Sequence, residues 1–184
     1  MAPTWTELLE RNRTYAETQH KPQLLVGQDG FDLPSTLIFA CCDFRTSPEM
    51  FLNMKGDEAF VIRNLGGRIT TSLEAIIFIE TFTQGQALKD IVIIHHFDCG
   101  CTHNTEDSLK DALKAKHPEH GAEIDKIVFG TYPGKDLEQH KESIRSDINF
   151  IRDSPLLREE LKKHVYGYVY DFLTGKLVPV AEEN

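Results

Sequence analysis

Two runs of β-branched and apolar residues each stop on a stretch of metal-ligating side chains. Thr36-Leu37-Ile38-Phe39-Ala40 leads into Cys41-Cys42-Asp43-Phe44-Arg45, and Ile91-Val92-Ile93-Ile94 leads into His95-His96-Phe97-Asp98-Cys99-Gly100-Cys101. A continuous apolar run without polar alternation is the pattern of a strand covered on both faces, as in a parallel sheet. Parallel strands require long crossovers, and helix-forming segments separate the runs. The pattern predicts an α/β fold with a mostly parallel central β-sheet flanked by helices. In such sheets ligands bind at the carboxyl ends of strands, where both stretches fall.

The rest of the chain fits that frame. Thr4 with Glu7 forms a capping box that starts a helix running to about Gln19, with the single Trp5 packing it. A polar, glycine-containing connection follows over residues 23–30. Pro48 sits in the first turn of a short helix over 48–54. Ala59-Phe60-Val61-Ile62-Arg63 reads as a strand, and Asn64-Leu65-Gly66-Gly67 as a turn with positive φ. Ser72 is positioned to cap an apolar helix from Leu73 to about Gln84, whose all-round hydrophobicity predicts burial against the sheet or another subunit. Residues 104–134 are polar, with a helix expected over 107–116. Leu137, Ile144, Ile148 and Ile151 recur at helical spacing, and Pro155 is read as opening another short helix. Val165 to Asp171 reads as a strand, followed by a turn at Thr174-Gly175. With no repeat, low-complexity tract or dividing linker, one domain over 1–184 is expected: helix and arm over 1–34, core over 35–184.

Charge and cysteine usage narrow the function. The net charge of −9 argues against nucleic acid or an anionic membrane as partner. No apolar run spans a bilayer, and the first residues lack a signal-peptide pattern, so the expected location is cytoplasmic. In a reducing compartment, four cysteines read as metal ligands or buried thiols before disulfides. Cys41, His96 and Cys99 form a Cys2His set, and three protein ligands leave a fourth tetrahedral position open, the pattern of catalytic zinc. Cys42 and Cys101 are the residues able to close it. Cys42 is disfavoured because adjacent strand side chains point to opposite faces, whereas the exclusion of Cys101 is weaker.

Three spaced motifs resemble the β-class carbonic anhydrases. Cys41-Cys42-Asp43-Phe44-Arg45 matches the family's C-x-D-x-R, Val61-Ile62-Arg63-Asn64-Leu65-Gly66 matches V-x-R-N-x-G, and His96-Phe97-Asp98-Cys99-Gly100 matches H-x-x-C-G. Gly167 to Leu177 resembles the family's last strand and hairpin, and the likeness covers about residues 35 to 180 of this chain; the short length and the His95-His96 doublet resemble the compact, prokaryote-like subgroup. It implies one Zn²⁺ per chain on Cys41, His96 and Cys99. Zinc lowers the pKa of its water from about 15.7 towards 7, giving hydroxide that attacks the carbon of a small linear substrate. The resemblance makes Asp43 the acceptor that orients this water and Arg45 the partner that holds Asp43 off the metal. It implies hydration of CO₂, with carbonyl sulfide hydrolysis (COS) or carbon disulfide hydrolysis as the alternative, and a homodimer or homotetramer in which the N-terminal helix packs on a partner subunit.

Departures from the family bear on the substrate. Phe44 stands where the family has a small residue, Phe97 replaces a small polar one, and Gly67 stands where many members have asparagine. Phe44, Phe97 and Gly100 are expected at the substrate pocket, the two rings making it narrower or more apolar. His95 is expected to face away from the metal, and His103 is a candidate proton shuttle. A non-catalytic zinc module is disfavoured by the Asp43-Arg45 pair, and a thiol redox protein by the lack of a C-x-x-C pair.

Overall fold

The computed structural model describes residues 2–180, which divide into two compact units, residues 2–32 and 33–180. Residue 1 and residues 181–184 of the expected domain lie outside the described residues. In the first unit, helix α1 (Trp5–Thr18) starts on the expected capping box: the Thr4 hydroxyl accepts from the Glu7 amide at 3.3 Å, and the Thr4 amide donates back to the Glu7 carboxylate at 2.6 Å. Trp5 is 72% exposed instead of packed, and none of the described residues of α1 is buried.

The second unit runs β1 (Thr36–Cys41), α2 (Pro48–Phe51), β2 (Phe60–Asn64), α3 (Leu73–Phe82), β3 (Asp90–His96), α4 (Glu106–Lys116), α5 (Gly121–Asp125), α6 (Leu137–Arg152), α7 (Glu159–Lys163), β4 (Val165–Tyr170) and β5 (Leu177–Pro179). The five strands form one sheet in the order β2-β1-β3-β4-β5. All pairings are parallel except β4 with β5, so the expected mostly parallel α/β sheet is what the chain forms. Alternation along the strands divides the core. Leu37, Phe39, Ile91 and Ile93 face α3 and α6, while Ile38, Ala40 and Ile94 face Phe51, Met54 and Tyr170.

Helix α6 shows how a stripe fastens to a sheet. His140, Ser143, Ile144, Asp147, Ile148 and Ile151 are buried at helical spacing, and the Asp136 carboxylate caps the helix by accepting from the Gln139 amide at 2.9 Å. Three of those six are polar, and the apolar periodicity alone did not reveal them. Asp147 accepts from Arg68 Nε at 3.1 Å and lies 3.2 Å from His95 Nε2, and Arg68 also donates to the Ser143 hydroxyl at 2.9 Å. His95 thus faces away from the cysteines, fully buried, and desolvation lowers its pKa.

In α3 only Ile76 is fully buried, while Phe78 and Phe82 are 68% and 56% exposed and stack on each other, so the sheet covers only part of this helix. Two local expectations are corrected. Ser72 makes no capping bond to α3; its hydroxyl accepts from Asn64 Nδ2 at 2.8 Å, tying the β2 turn together. Pro155 does not open a helix, because the Ser154 hydroxyl takes the Leu156 amide into a turn and α7 begins only at Glu159.

Candidate metal centre

β1 and β3 are neighbours in the sheet, and both end on ligand-bearing turns. Their register pairs Ala40 with Ile94, so Cys41 and His95–His96 run on side by side past the last β1–β3 pair, each strand then paired only on its outer side, with Asn64 and with Val169 and Tyr170. Gly67 permits this. Its φ is +71°, and a Cβ there would meet the Ile94 carbonyl oxygen at 2.9 Å and the Cys41 amide nitrogen at 3.2 Å. The turn after β1 is held from outside: the Thr46 hydroxyl donates to the Cys41 carbonyl at 2.9 Å, and Arg63 donates to the carbonyls of Cys41 and Asp43 at 3.2 and 2.7 Å.

Among the described residues, Cys41, His96 and Cys99 form the one group of ligand atoms that lie within 4.8 Å of one another, and all three are buried. The sulfurs of Cys41 and Cys99 are 3.8 Å apart. Two zinc–sulfur bonds of about 2.3 Å at a tetrahedral angle separate their sulfurs by about the same distance. His96 Nδ1 is 2.8 Å from the Phe97 carbonyl, which fixes the proton there and leaves Nε2 as the coordinating atom. That Nε2 is buried without a hydrogen-bond partner, as a ligand position requires. The Cys41 thiol is pushed up to about 12 by the neighbouring Cys99 sulfur and by burial. Two crowded thiols resist joint ionisation, and a cation between them removes that obstacle. The donor set therefore fits zinc.

Asp43 and Arg45 stand beside this cluster. Arg45 Nε and Nη2 donate to the two Asp43 carboxylate oxygens at 3.0 and 2.7 Å, and the Arg45 amide donates at 2.9 Å. The Arg45 side chain holds the Asp43 carboxyl at about 2, below the usual range, so Asp43 is an ionised acceptor at neutral pH. Arg45 has a second carboxylate that the motif reading missed. Its Nη1 donates to Asp98 at 2.8 Å and its Nη2 to the Asp98 carbonyl at 2.9 Å, while its guanidinium stands 4.6 Å over the Phe172 ring. A charged residue between two ligand positions was the available signal for Asp98. Nothing local pointed to Phe172.

A cavity of about 450 Å³ adjoins the cluster, lined by Cys41, Asp43, Cys99 and Gly100 with Leu65, Leu109 and Phe129. Cys42 and Cys101 line it too, outside the three-ligand group. Phe44 and Phe97, expected at the substrate pocket, are not among the residues lining this cavity. Phe44 is 90% exposed, while the side chains of Asp43 and Arg45 on either side of it bond to each other. Phe97 packs against the core and meets His140 edge-on at 5.2 Å. Gly100 lines the cavity, but a Cβ there would touch nothing within 4 Å, so close backbone approach does not explain it. His103 is exposed, 3.2 Å from Asp98.

A parallel sheet whose strand ends gather two thiols and an imidazole beside an Asp-Arg pair defines a class of metal-dependent α/β enzyme. The family model for carbonic anhydrase matches residues 36–177, and the chain belongs to that family, in its β class. Beta-carbonic anhydrase 1 of Mycobacterium tuberculosis is 29% identical over 140 residues, covering 76% of this chain and 78% of its own. Carbon disulfide hydrolase of Acidithiobacillus thiooxidans is 27% identical over 160 residues, covering 77% and 75%. The solved carbonic anhydrase from Glaciozyma antarctica aligns with a TM-score of 0.78 at 27% identity, covering 98% of this chain and 100% of that one. Zinc is the metal of the family, and the Cys41-His96-Cys99 cluster is able to hold it.

Proposed function

We propose that this chain is a carbonic anhydrase that interconverts CO₂ and water with bicarbonate and a proton, using zinc held by Cys41, His96 and Cys99. The observation that supports the reading is the Asp43-Arg45 pair, which a purely structural site would not need. Zinc, when bound, supplies a Lewis acid that makes water a nucleophile near neutral pH. Asp43, ionised and acceptor-only, takes a hydrogen bond from the attacking water and so orients it toward the carbon. Arg45 holds both oxygens of Asp43, keeping that carboxylate from swinging onto the metal. The apolar cavity walls of Leu65, Leu109 and Phe129 suit an uncharged, linear substrate.

Those apolar walls, together with the carbon disulfide hydrolase relative, favour a second reading: hydrolysis of carbonyl sulfide to CO₂ and H₂S, or of carbon disulfide by the same addition. Zinc-loaded protein assayed in parallel for CO₂ hydration by stopped flow and for H₂S release from both sulfur substrates separates the two. Faster CO₂ turnover is expected, and H₂S release without CO₂ hydration would replace the first reading with the second. The reading also includes a cytoplasmic homo-oligomer. Exposed Phe44, Phe78 and Phe82 supply apolar surface for a second copy, and α1 is the helix assigned to the partner. Among the described residues no helix is long and apolar enough to cross a membrane.

A further inference from the structure

Beyond the paired ends of β1 and β3, the two ligand-bearing segments have little backbone connection. The parallel ladder between them stops at Ala40 and Ile94, and Cys42 donates its amide to Asn64 of β2 instead, at 2.8 Å. Among the described residues, the hydrogen bonds joining residues 42–46 to residues 97–101 all come from one side chain. Arg45 reaches across 53 residues of chain to the Asp98 carboxylate at 2.8 Å and to its carbonyl at 2.9 Å. Both acceptors face Arg45 because Asp98 adopts a left-handed backbone, φ +52°, a conformation Asp and Asn tolerate better than other side chains. Strain of this kind persists where the surroundings over-determine it, and it clusters at functional sites. Phe172 completes the join, with Arg45 4.6 Å over its ring and His96 tilted against it at 5.0 Å.

We infer that Asp98 is a positioning residue that latches the His96-Cys99 segment to the Cys41-Asp43 segment through Arg45, keeping the three ligands and Asp43 in register. Arg45 is already engaged by Asp43 through two nitrogens, so Asp98 adds nothing to the charge of the pair that Asp43 lacks. What it adds is a tether across the cluster. Ligand segments joined by such a tether stay assembled when one metal bond opens, which slows metal loss. The inference rests on the zinc reading above, and its test separates the two.

Purified zinc-loaded protein is mixed with excess colorimetric chelator, and zinc release is timed for the parent chain, Asp98→Asn, Arg45→Ala and the double variant. Asn keeps the left-handed backbone and the carbonyl acceptor while removing the charge. Loss of such supporting partners costs about 10- to 100-fold in metal affinity, so release about tenfold faster is expected in Asp98→Asn. The effect of Asp98→Asn should vanish in the Arg45→Ala background, which a merely structural role would not produce. Release unchanged in Asp98→Asn, or an equal acceleration with and without Arg45, overturns the inference. If Asp98→Asn fails to fold, Asp98→Gly, which also accepts positive φ, takes its place in the same cycle. A parent chain that holds no zinc overturns both this inference and the zinc reading; a zinc-holding parent indifferent to Asp98 overturns this inference alone.

Discussion

Cys41 closes β1, is 4% exposed, and places its sulfur 3.8 Å from that of Cys99. Serine at this position keeps the volume but offers a hard, protonated oxygen in place of a thiolate. Cys41→Ser is therefore expected to lose the one zinc per chain, measured by elemental analysis of purified protein; a full equivalent retained would contradict the ligand assignment. Asp43 is the other residue on which the reading turns. Asp43→Asn removes the charge that Arg45 grips and puts an NH₂ group where an acceptor is required, so turnover should fall by about 10²-fold or more with zinc retained. Steady-state rates beside zinc content check it, and unchanged rates would refute its role. The ligand types were legible because they are properties of single residues at strand ends. The direction of Phe44 and the partnership of Asp98 were not. The first depends on which way a turn rotates after the ladder stops, and the second on an arginine 53 positions away.

At the scale of elements, the close approach of the β2 turn to β1 and β3 decides whether the cluster assembles. Gly67 sits where a Cβ would meet the Ile94 carbonyl at 2.9 Å, at a φ that L residues avoid. Gly67→Ala should cost about 3 kcal/mol, from left-handed strain plus a clash that only backbone movement relieves. Urea unfolding midpoints measure it. The glycine pair was legible as a turn, but the need for a bare backbone at Gly67 followed only once β3 was seen beneath it. Helix α6 offers a second case. Asp147, fully buried, pairs with Arg68 at 3.0 Å, so Asp147→Ala strands a buried guanidinium and should destabilise by about 3–5 kcal/mol. Spacing identified α6 through Ile144, Ile148 and Ile151, and it was silent on Asp147 because a buried carboxylate is recognisable only with its partners in place.

For the molecule as a whole, the sheet was legible because its strands are continuous apolar runs, whereas the order β2-β1-β3-β4-β5 was not, since it depends on which strands pair across the crossovers. The polar interior was not. His140 is fully buried with neither ring nitrogen hydrogen-bonded, and burial lowers its pKa from 6.5 to about 4. Between those values the unfolded chain takes up a proton that the folded chain refuses, so stability falls as pH drops from about 6.5 towards 4. His95, lowered by burial in the same direction, adds to the loss. Urea midpoints at pH 7 and pH 5 should differ, with the lower value at pH 5, and His140→Leu should narrow the gap.

The ligands lie on, or just past the end of, adjacent strands of the sheet but far apart along the chain: Cys41 and Cys99 are separated by 58 positions, with β2 and α3 threaded between them. Contacts of that separation form late, because loop closure must precede them. Zinc capture is thus a report that the chain has finished folding, not a nucleus around which it starts. Zinc added during refolding should leave the main refolding rate unaltered and instead slow the reverse reaction, since the metal rewards only an arrangement reached after the barrier.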